Sequence, residues 1–184
     1  MSHPYPDLVV RRFEDIDFPS VLREGRRFLC LDLDNTLLPQ KGHELEPGVV
    51  ERLKQLREQD LVQDICLISN VILPGHRVRR LHRLAEQLEI KHVVAGYFWN
   101  KKPGSAPFRQ ALELMGARPS QCVMVGDQIY SDILGGNKMG FYTIWVLPMA
   151  SDHWSTLLTG RRRRERKLFQ ELHRQGRADP SWLS

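Results

Sequence analysis

CLDLDNTLLP, running from Cys30 to Pro39, sets two acids at the end of an otherwise apolar run. Leu29, Leu31 and Leu33 alternate with Cys30, Asp32 and Asp34, so a strand here points both carboxylates to one face. Two like charges side by side cost energy unless a cation sits between them or one keeps its proton. A solvated surface strand tolerates such a pair, but the rest of the chain argues for a site.

Four more apolar runs follow, at Ile65–Asn70, His92–Tyr97, Cys122–Asp127 and Tyr142–Met149, with the first extending over Phe28–Asp34. Between them lie stretches of helical period: Pro47–Gln59 with Val50, Leu53 and Leu56 inward, Val78–Leu88, Ala106–Met115, and a short one from Tyr130. Pro47 and Pro74 suit a first helical turn, and Gly116 lies just past a helix end. Continuously apolar strands separated by helices predict an α/β domain with a doubly wound, Rossmann-like parallel sheet. About five strands are expected, with helices on both faces. Residues 1–25 read as a lead-in packing on the core, 26–150 as the catalytic domain, and 151–184 as a basic helix and tail.

The 184 residues suffice for one domain, and the 41% hydrophobic and 27% charged fractions are those of a globular protein. Met139–Ser151 is the longest stretch without a charged residue or His, too short to span a membrane, and the N-terminus lacks a signal-peptide pattern. Cys30, Cys66 and Cys122 have no CxxC spacing and lie in apolar runs, which reads as three buried thiols. The histidines show no ligand spacing, and Gly135 and Gly136 form no nucleotide-binding pattern. A cytoplasmic location is expected.

Folds of this kind bind ligands beyond the carboxyl ends of their strands. The polar residues collect there: Asp32 and Asp34 after the first run, Ser69 and Asn70 closing the second, Lys101 and Lys102 after the third, Asp127 after the fourth. Asp32 and Asp127 can share Mg²⁺, which favours one or two carboxylates plus water and phosphate oxygen. Asp32 is then the nucleophile toward phosphorus. Asp34 serves as general acid for the leaving oxygen and as base for the water that follows. Ser69 and Lys102 hold the transferring phosphoryl oxygens. Asn35, Thr36 and Asn70 are further candidate phosphate contacts.

DLDNT resembles the first motif, DxDx[TV], of the haloacid dehalogenase (HAD) superfamily. Ser69, Lys102 and GDQIYSD (Gly126–Asp132) are similar to its second, third and fourth motifs, in that order. The resemblance covers roughly residues 28–150. It implies that Asp32, the backbone carbonyl of Asp34, and Asp127 hold Mg²⁺, that Asp132 supports the metal from behind, and that Lys102 rather than Lys101 is catalytic. An acid at Asp34 points to the phosphatases of the superfamily. Gly126–Pro148 and Lys101–Phe108 resemble the YqeG branch, subfamily IIIA, related to mitochondrial phosphatidylglycerophosphatase. One departure is Val71–Leu73, apolar where that branch is polar.

The intervals between Thr36, Ser69 and Lys102 leave no room for a cap domain, so an open site is expected, suited to a lipid headgroup or a macromolecule. Tyr97, Phe98 and Trp99 are expected to pack the lysine loop onto the sheet; the alternative is a rim resting on lipid. From Ser151 onward eight Lys/Arg face four Asp/Glu, so this segment carries +4 of the net +5. Its RRRRERK run (Arg161–Lys167), flanked by Trp154, Leu157, Leu158, Leu168, Phe169 and Leu172, has three readings. They are a helix docking on anionic membrane, a packing helix with a solvated basic face, and a nucleic-acid contact. The leading expectation is an Mg²⁺-dependent phosphomonoester hydrolase with an aspartyl-phosphate intermediate, converting phosphatidylglycerophosphate to phosphatidylglycerol. The alternatives are a soluble phosphatase of a small metabolite or nucleotide, and an RNA- or ribosome-associated binding protein. Oligomeric state is open.

Overall fold

The computed structural model describes residues 3–23, 25–40, 42–71, 75–149 and 161–183. Its strands are β1 Leu8–Val10, β2 Phe28–Leu31, β3 Asp64–Asn70, β4 His92–Gly96, β5 Cys122–Gly126 and β6 Tyr142–Val146. Its helices are α1 Phe18–Val21, α2 Pro47–Glu58, α3 His76–Gln87, α4 Ser105–Met115, α5 Leu134–Met139 and α6 Arg161–Arg174. The strands form a single sheet in the order β1-β6-β5-β2-β3-β4, and every pairing is parallel. Central β2 sets Cys30 opposite Cys66 on one side and Met124 on the other. The chain runs outward from β2 through β3 and β4, then returns to β5 on the opposite flank of β2. That reversal opens a crevice between the ends of β2 and β5.

Alternation along the strands sends side chains into two layers. Leu29, Leu31, Leu67, Val123 and Val125 pack with Val49, Leu53 and Leu56 of α2 and Leu81 and Leu84 of α3. Phe28, Cys30, Ile68 and Met124 face Phe108, Ala111 and Met115 of α4. Pro47 opens α2, as its spacing predicts, but Val49 rather than Val50 enters the core. Val50 is 39% exposed, because positions 49, 53 and 56 share one helical face and 50 does not. Gly116 caps α4 in the left-handed conformation, φ 62°, a geometry that costs glycine little. The three cysteines are buried and free, and burial pushes the Cys66 thiol up to about 12.

Two elements depart from the expected five-strand sheet. Leu8–Val10 in the lead-in is a sixth strand, too short to show a period, added beside β6 at the edge. Beyond it Phe13, Ile16 and Phe18 are fully buried. β2 also stops at Leu31, so Asp32 and Asp34 belong to the loop after the strand rather than to one strand face. There Asp34 bridges to Leu38.

Helix α6 packs Leu168, Phe169 and Leu172 against Val9, Ile129, Ile133 and Trp145, with Trp145 and Phe169 edge-on at 6.1 Å. Tyr5 Oη donates to Glu171 at 2.9 Å, tying the helix to the N-terminus. Arg163, Arg164, Arg166 and Lys167 are exposed. Trp154, Leu157, Leu158 and Pro74 lie outside the described residues, as do Ile72 and Leu73. Among the described residues only loops separate β2 from α2 and β3 from α3, and no helix is long and apolar enough to cross a membrane.

Candidate active site

Because all six strands are parallel, their carboxyl ends deliver side chains to one edge of the sheet. Asp32 leaves β2 with its N–H donating to the Val125 carbonyl at 2.9 Å, which anchors it against β5. Asp127 follows β5, and its carbonyl accepts the Trp145 indole N–H at 2.9 Å. Ile129–Ile133 then forms a wide π-type turn that brings Asp132 back beneath the strand end. Gly126 makes this return possible, since a Cβ there would overlap the Asp132 carboxylate.

Lys102 enters from the loop after β4. Its Nζ donates to Asp32 Oδ1 and to the Ile68 carbonyl, each at 2.6 Å, and lies 2.6 Å from Asp132 Oδ1. Both Asp132 and Lys102 are almost fully buried. Lys101, by contrast, is exposed and its ammonium rests over the Phe98 ring at 5.4 Å. Asn70 holds the lysine loop in place: its Oδ1 accepts the Lys102 N–H at 2.9 Å while its Nδ2 donates to the Lys102 carbonyl and to Ser131 Oγ. The Asn70 amide is thus engaged in positioning Lys102 rather than turned toward a substrate.

Carboxylate oxygens of Asp32, Asp127 and Asp132 lie within 4.8 Å of one another. Three buried acids around one ammonium leave excess negative charge, and hard oxygen donors in this number suit a divalent cation such as Mg²⁺. Burial pushes the Asp32 carboxyl up to about 7, with Lys102 pulling the other way and Asp132 adding to the rise. Burial disfavours the Lys102 ammonium, but Asp132 and Asp32 outweigh it and hold its pKa above the ordinary lysine value. Both effects mark a site organised around charge.

Asp34 leads elsewhere. Its carboxylate accepts from Arg80 Nη2 at 2.8 Å and from Nη1 at 3.3 Å, a forked pair with a residue on α3. Asp34, Ser69 and Asn70 line one wall of a pocket of about 430 Å³ whose other wall is α3. Asn35 sits in the left-handed conformation, φ 63°, and its Oδ1 accepts the Gln40 N–H at 3.1 Å, so it shapes the turn. Thr36 is fully buried, and its Oγ1 has no hydrogen-bond partner among the described residues. The structure therefore gathers Asp32, Lys102, Asp127 and Asp132 in one cluster, places Asp34 and Ser69 at the adjoining pocket, and gives Asn35 and Asn70 supporting roles. Arg80 and Ser131 were not among the residues expected from sequence. Only the recurrence of arginine in HRVRRLHR hinted at the first.

Phe98 and Trp99 depart from the expected packing: they are 70% and 85% exposed. Tyr97 and Asn100 close a turn, with the Asn100 N–H donating to the Tyr97 carbonyl at 3.0 Å, which leaves the two aromatics at its tip.

A parallel sheet ending in this aspartate and lysine cluster defines a HAD-type phosphatase. The sequence profile described as "Mitochondrial PGP phosphatase" matches residues 1–148, and the chain belongs to that family. It is 29% identical to the probable phosphatase YqeG of Bacillus subtilis over 172 residues, 93% of this chain and 92% of that protein. It is 26% identical to the mitochondrial phosphatidylglycerophosphatase GEP4 of Saccharomyces cerevisiae over 147 residues, 77% of this chain and 76% of that one. A crystal structure of an uncharacterized protein from Listeria monocytogenes serotype 4b shares the fold. It has a TM-score of 0.54 at 21% identity, covering 69% of this chain and 83% of that one.

Proposed function

We propose that the chain is an Mg²⁺-dependent phosphomonoesterase whose substrate is phosphatidylglycerophosphate, released as phosphatidylglycerol and phosphate. The observation that carries the chemistry is the cluster in which Lys102 Nζ lies 2.6 Å from both Asp32 and Asp132, with Asp127 within 4.8 Å of those acids. The family and the yeast and plant phosphatidylglycerophosphate phosphatases among its relatives support the lipid substrate. The absence of an inserted domain among the described residues, and the exposed Phe98 and Trp99, suit a substrate presented at a surface.

In this reading a carboxylate oxygen of Asp32 attacks phosphorus. The bond to the ester oxygen breaks, and Asp34, which takes up a proton from solvent once its fork with Arg80 opens to the substrate, gives that proton to the oxygen. Water then attacks the aspartyl-phosphate, Asp34 accepts its proton, and the bond from phosphorus to Asp32 breaks to free phosphate. Lys102 and the Ser69 hydroxyl hold the phosphoryl oxygens through both steps. Asp32, Asp127 and the Asp34 carbonyl would hold the cation, with Asp132 supporting from behind. Bound there, Mg²⁺ supplies positive charge for the phosphoryl oxygens and for the acids. Peripheral contact with an anionic membrane falls to the basic run Arg161–Lys167, of which Arg163, Arg164, Arg166 and Lys167 are exposed side chains.

The test is phosphate release from phosphatidylglycerophosphate in detergent and from soluble monoesters, with Mg²⁺ and with EDTA. Faster turnover of the lipid and loss of activity in EDTA are expected. Activity that persists in EDTA removes the metal from the reading, and a preference for soluble esters redirects the substrate to a small metabolite.

A further inference from the structure

Helix α3 carries far more positive charge than a single phosphate monoester can use. Its sequence HRVRRLHRLAEQ holds Arg77, Arg79, Arg80 and Arg83 against one acid, Glu86. Leu81, Leu84 and Ala85 face the core. His76, Arg79, Arg80 and Arg83 recur at the spacing of one helical face. A basic face on a surface helix is ordinarily just solvated. Here, however, it forms a wall of the 430 Å³ pocket, opposite Asp34 and Ser69. Leu33 and Val71 supply apolar lining between them.

The cations in that wall are unevenly matched. Arg80 is taken by Asp34 at 2.8 Å and by the Gly42 carbonyl at 2.7 Å. Among the described residues Arg77, Arg79 and Arg83 pair with no carboxylate. Arg83 Nη2 instead donates to His43 Nδ1 at 3.1 Å, a partner that offers a lone pair but no negative charge. Guanidinium groups that outnumber the acids of their recess, where Asp34 is already paired with Arg80, favour phosphate, which they hold by forked hydrogen bonds. The phosphoryl group under attack is already served by Lys102 and the metal cluster, so these arginines have no part in the transfer.

Resting on the phosphatase reading, we propose that this pocket binds a second phosphate group of the substrate, diester or monoester, and so selects substrates that carry two. The group's hydrocarbon backbone would lie along Leu33 and Val71, with its anion between Arg79 and Arg83. The chemistry is the same for a lipid headgroup diester and for a soluble bisphosphate.

The experiment compares kcat/KM on three substrates: phosphatidylglycerophosphate in detergent, its deacylated water-soluble form, and glycerol 3-phosphate, which carries one phosphate. The double variant Arg79→Gln with Arg83→Gln changes exposed residues, and Lys54→Gln on α2 with Lys138→Gln on α5, also exposed, is the control for the same loss of two charges. The parent and the control should prefer both two-phosphate substrates. In the double variant that preference over glycerol 3-phosphate should fall at least ten-fold, mostly through KM. An equal loss on all three substrates, or the same collapse in the control, overturns the proposal. A loss confined to the micellar lipid means that the arginines read a lipid surface, and overturns it too. If the parent hydrolyses none of the three, it is the phosphatase reading that fails. Calorimetry with the deacylated compound then decides for the pocket: the double variant must bind at least ten-fold more weakly, and equal Kd values overturn the proposal.

Discussion

The Asp34 carboxylate is held in a forked pair by Arg80, 46 positions further along the chain and 2.8 Å away, whereas Asp32 two residues earlier belongs to Lys102. The two acids of DLDNT thus have separate electrostatic neighbours. One faces the cluster of buried acids and the other faces the pocket lined by α3. That separation suits the proposed mechanism, in which the neighbouring carboxylates take different tasks at one phosphorus atom.

Removing the guanidinium should therefore disturb proton transfer more than phosphoryl transfer. Arg80→Ala is expected to lower kcat about ten-fold or more on an alkyl phosphate, whose leaving oxygen needs a proton, and much less on p-nitrophenyl phosphate. Arg80→Lys, which keeps the charge without the fork, should fall between. Parallel kcat measurements on the two esters check this, and equal losses would show that Arg80 does not position the acid.

Asp32→Asn keeps the shape of the side chain and removes the proposed nucleophile. Turnover should fall by several orders of magnitude, since losing a covalent step costs several kcal/mol. The circular dichroism spectrum should be unchanged. Retention of a tenth of the parent rate would assign the attack to another group.

Gly126→Ala tests the support beneath the cluster. A Cβ at this position overlaps Asp132, so either the carboxylate or the strand end must move. A cost of about 1–3 kcal/mol is expected, as for other overpacked sites. The shift of Asp132 should also loosen Lys102 and reduce kcat. Chemical denaturation and steady-state assays report the two effects separately, and a variant with parent stability and kcat would mean that Gly126 has room to spare.

Asp32 should also couple stability to pH and metal. Its folded-state pKa of about 7 lies above the roughly 3.9 of an unfolded aspartate. A raised value contributes stability that is complete below the unfolded pKa and is lost as pH rises to the folded one. In EDTA, Tm should accordingly fall between about pH 4 and pH 7. Mg²⁺ favours the ionised carboxylate, so it should raise Tm more at pH 8 than at pH 5. Asp32→Asn should flatten that difference. Thermal melts across this range decide it, and a metal-induced shift equal at both ends would separate Asp32 from the metal.

Much of this architecture is legible in the chain because the relevant signals are local. β3, β4 and β5 are continuous apolar runs, and Asp32, Asp127 and Lys102 each stand where such a run ends. β1 escapes notice because three residues show no period and its strand character comes from pairing with β6. The Asp34–Arg80 pair escapes for another reason: HRVRRLHR displays the arginines, but only the packing of α3 on the sheet says which of them reaches the acid. Phe98 and Trp99 look like core residues by type, yet the turn closed by Tyr97 and Asn100 turns them outward.

That outward pair and helix α6 lead to different forms of membrane contact. Leu168, Phe169 and Leu172 are already buried against the fold, so α6 has no free apolar face to insert. Its exposed Arg163, Arg164, Arg166 and Lys167 are left with charge alone, about 1 kcal/mol per residue near an anionic surface and weakened by salt. Phe98 and Trp99 can enter the interface through apolar area, which salt does not screen. Replacing Arg163, Arg164 and Arg166 with Gln should lower co-sedimentation with anionic vesicles at low salt and change little at high salt. Phe98→Ser with Trp99→Ser should lower it at both. Phe169→Ala should instead destabilise the fold by about 3–5 kcal/mol, because it empties a packed site. If the arginine variant sediments like the parent at low salt, α6 serves only to cover the sheet. If the aromatic variant does so at high salt, the rim of the lysine loop makes no contact with lipid, and the substrate must reach Asp32 from detergent or solution.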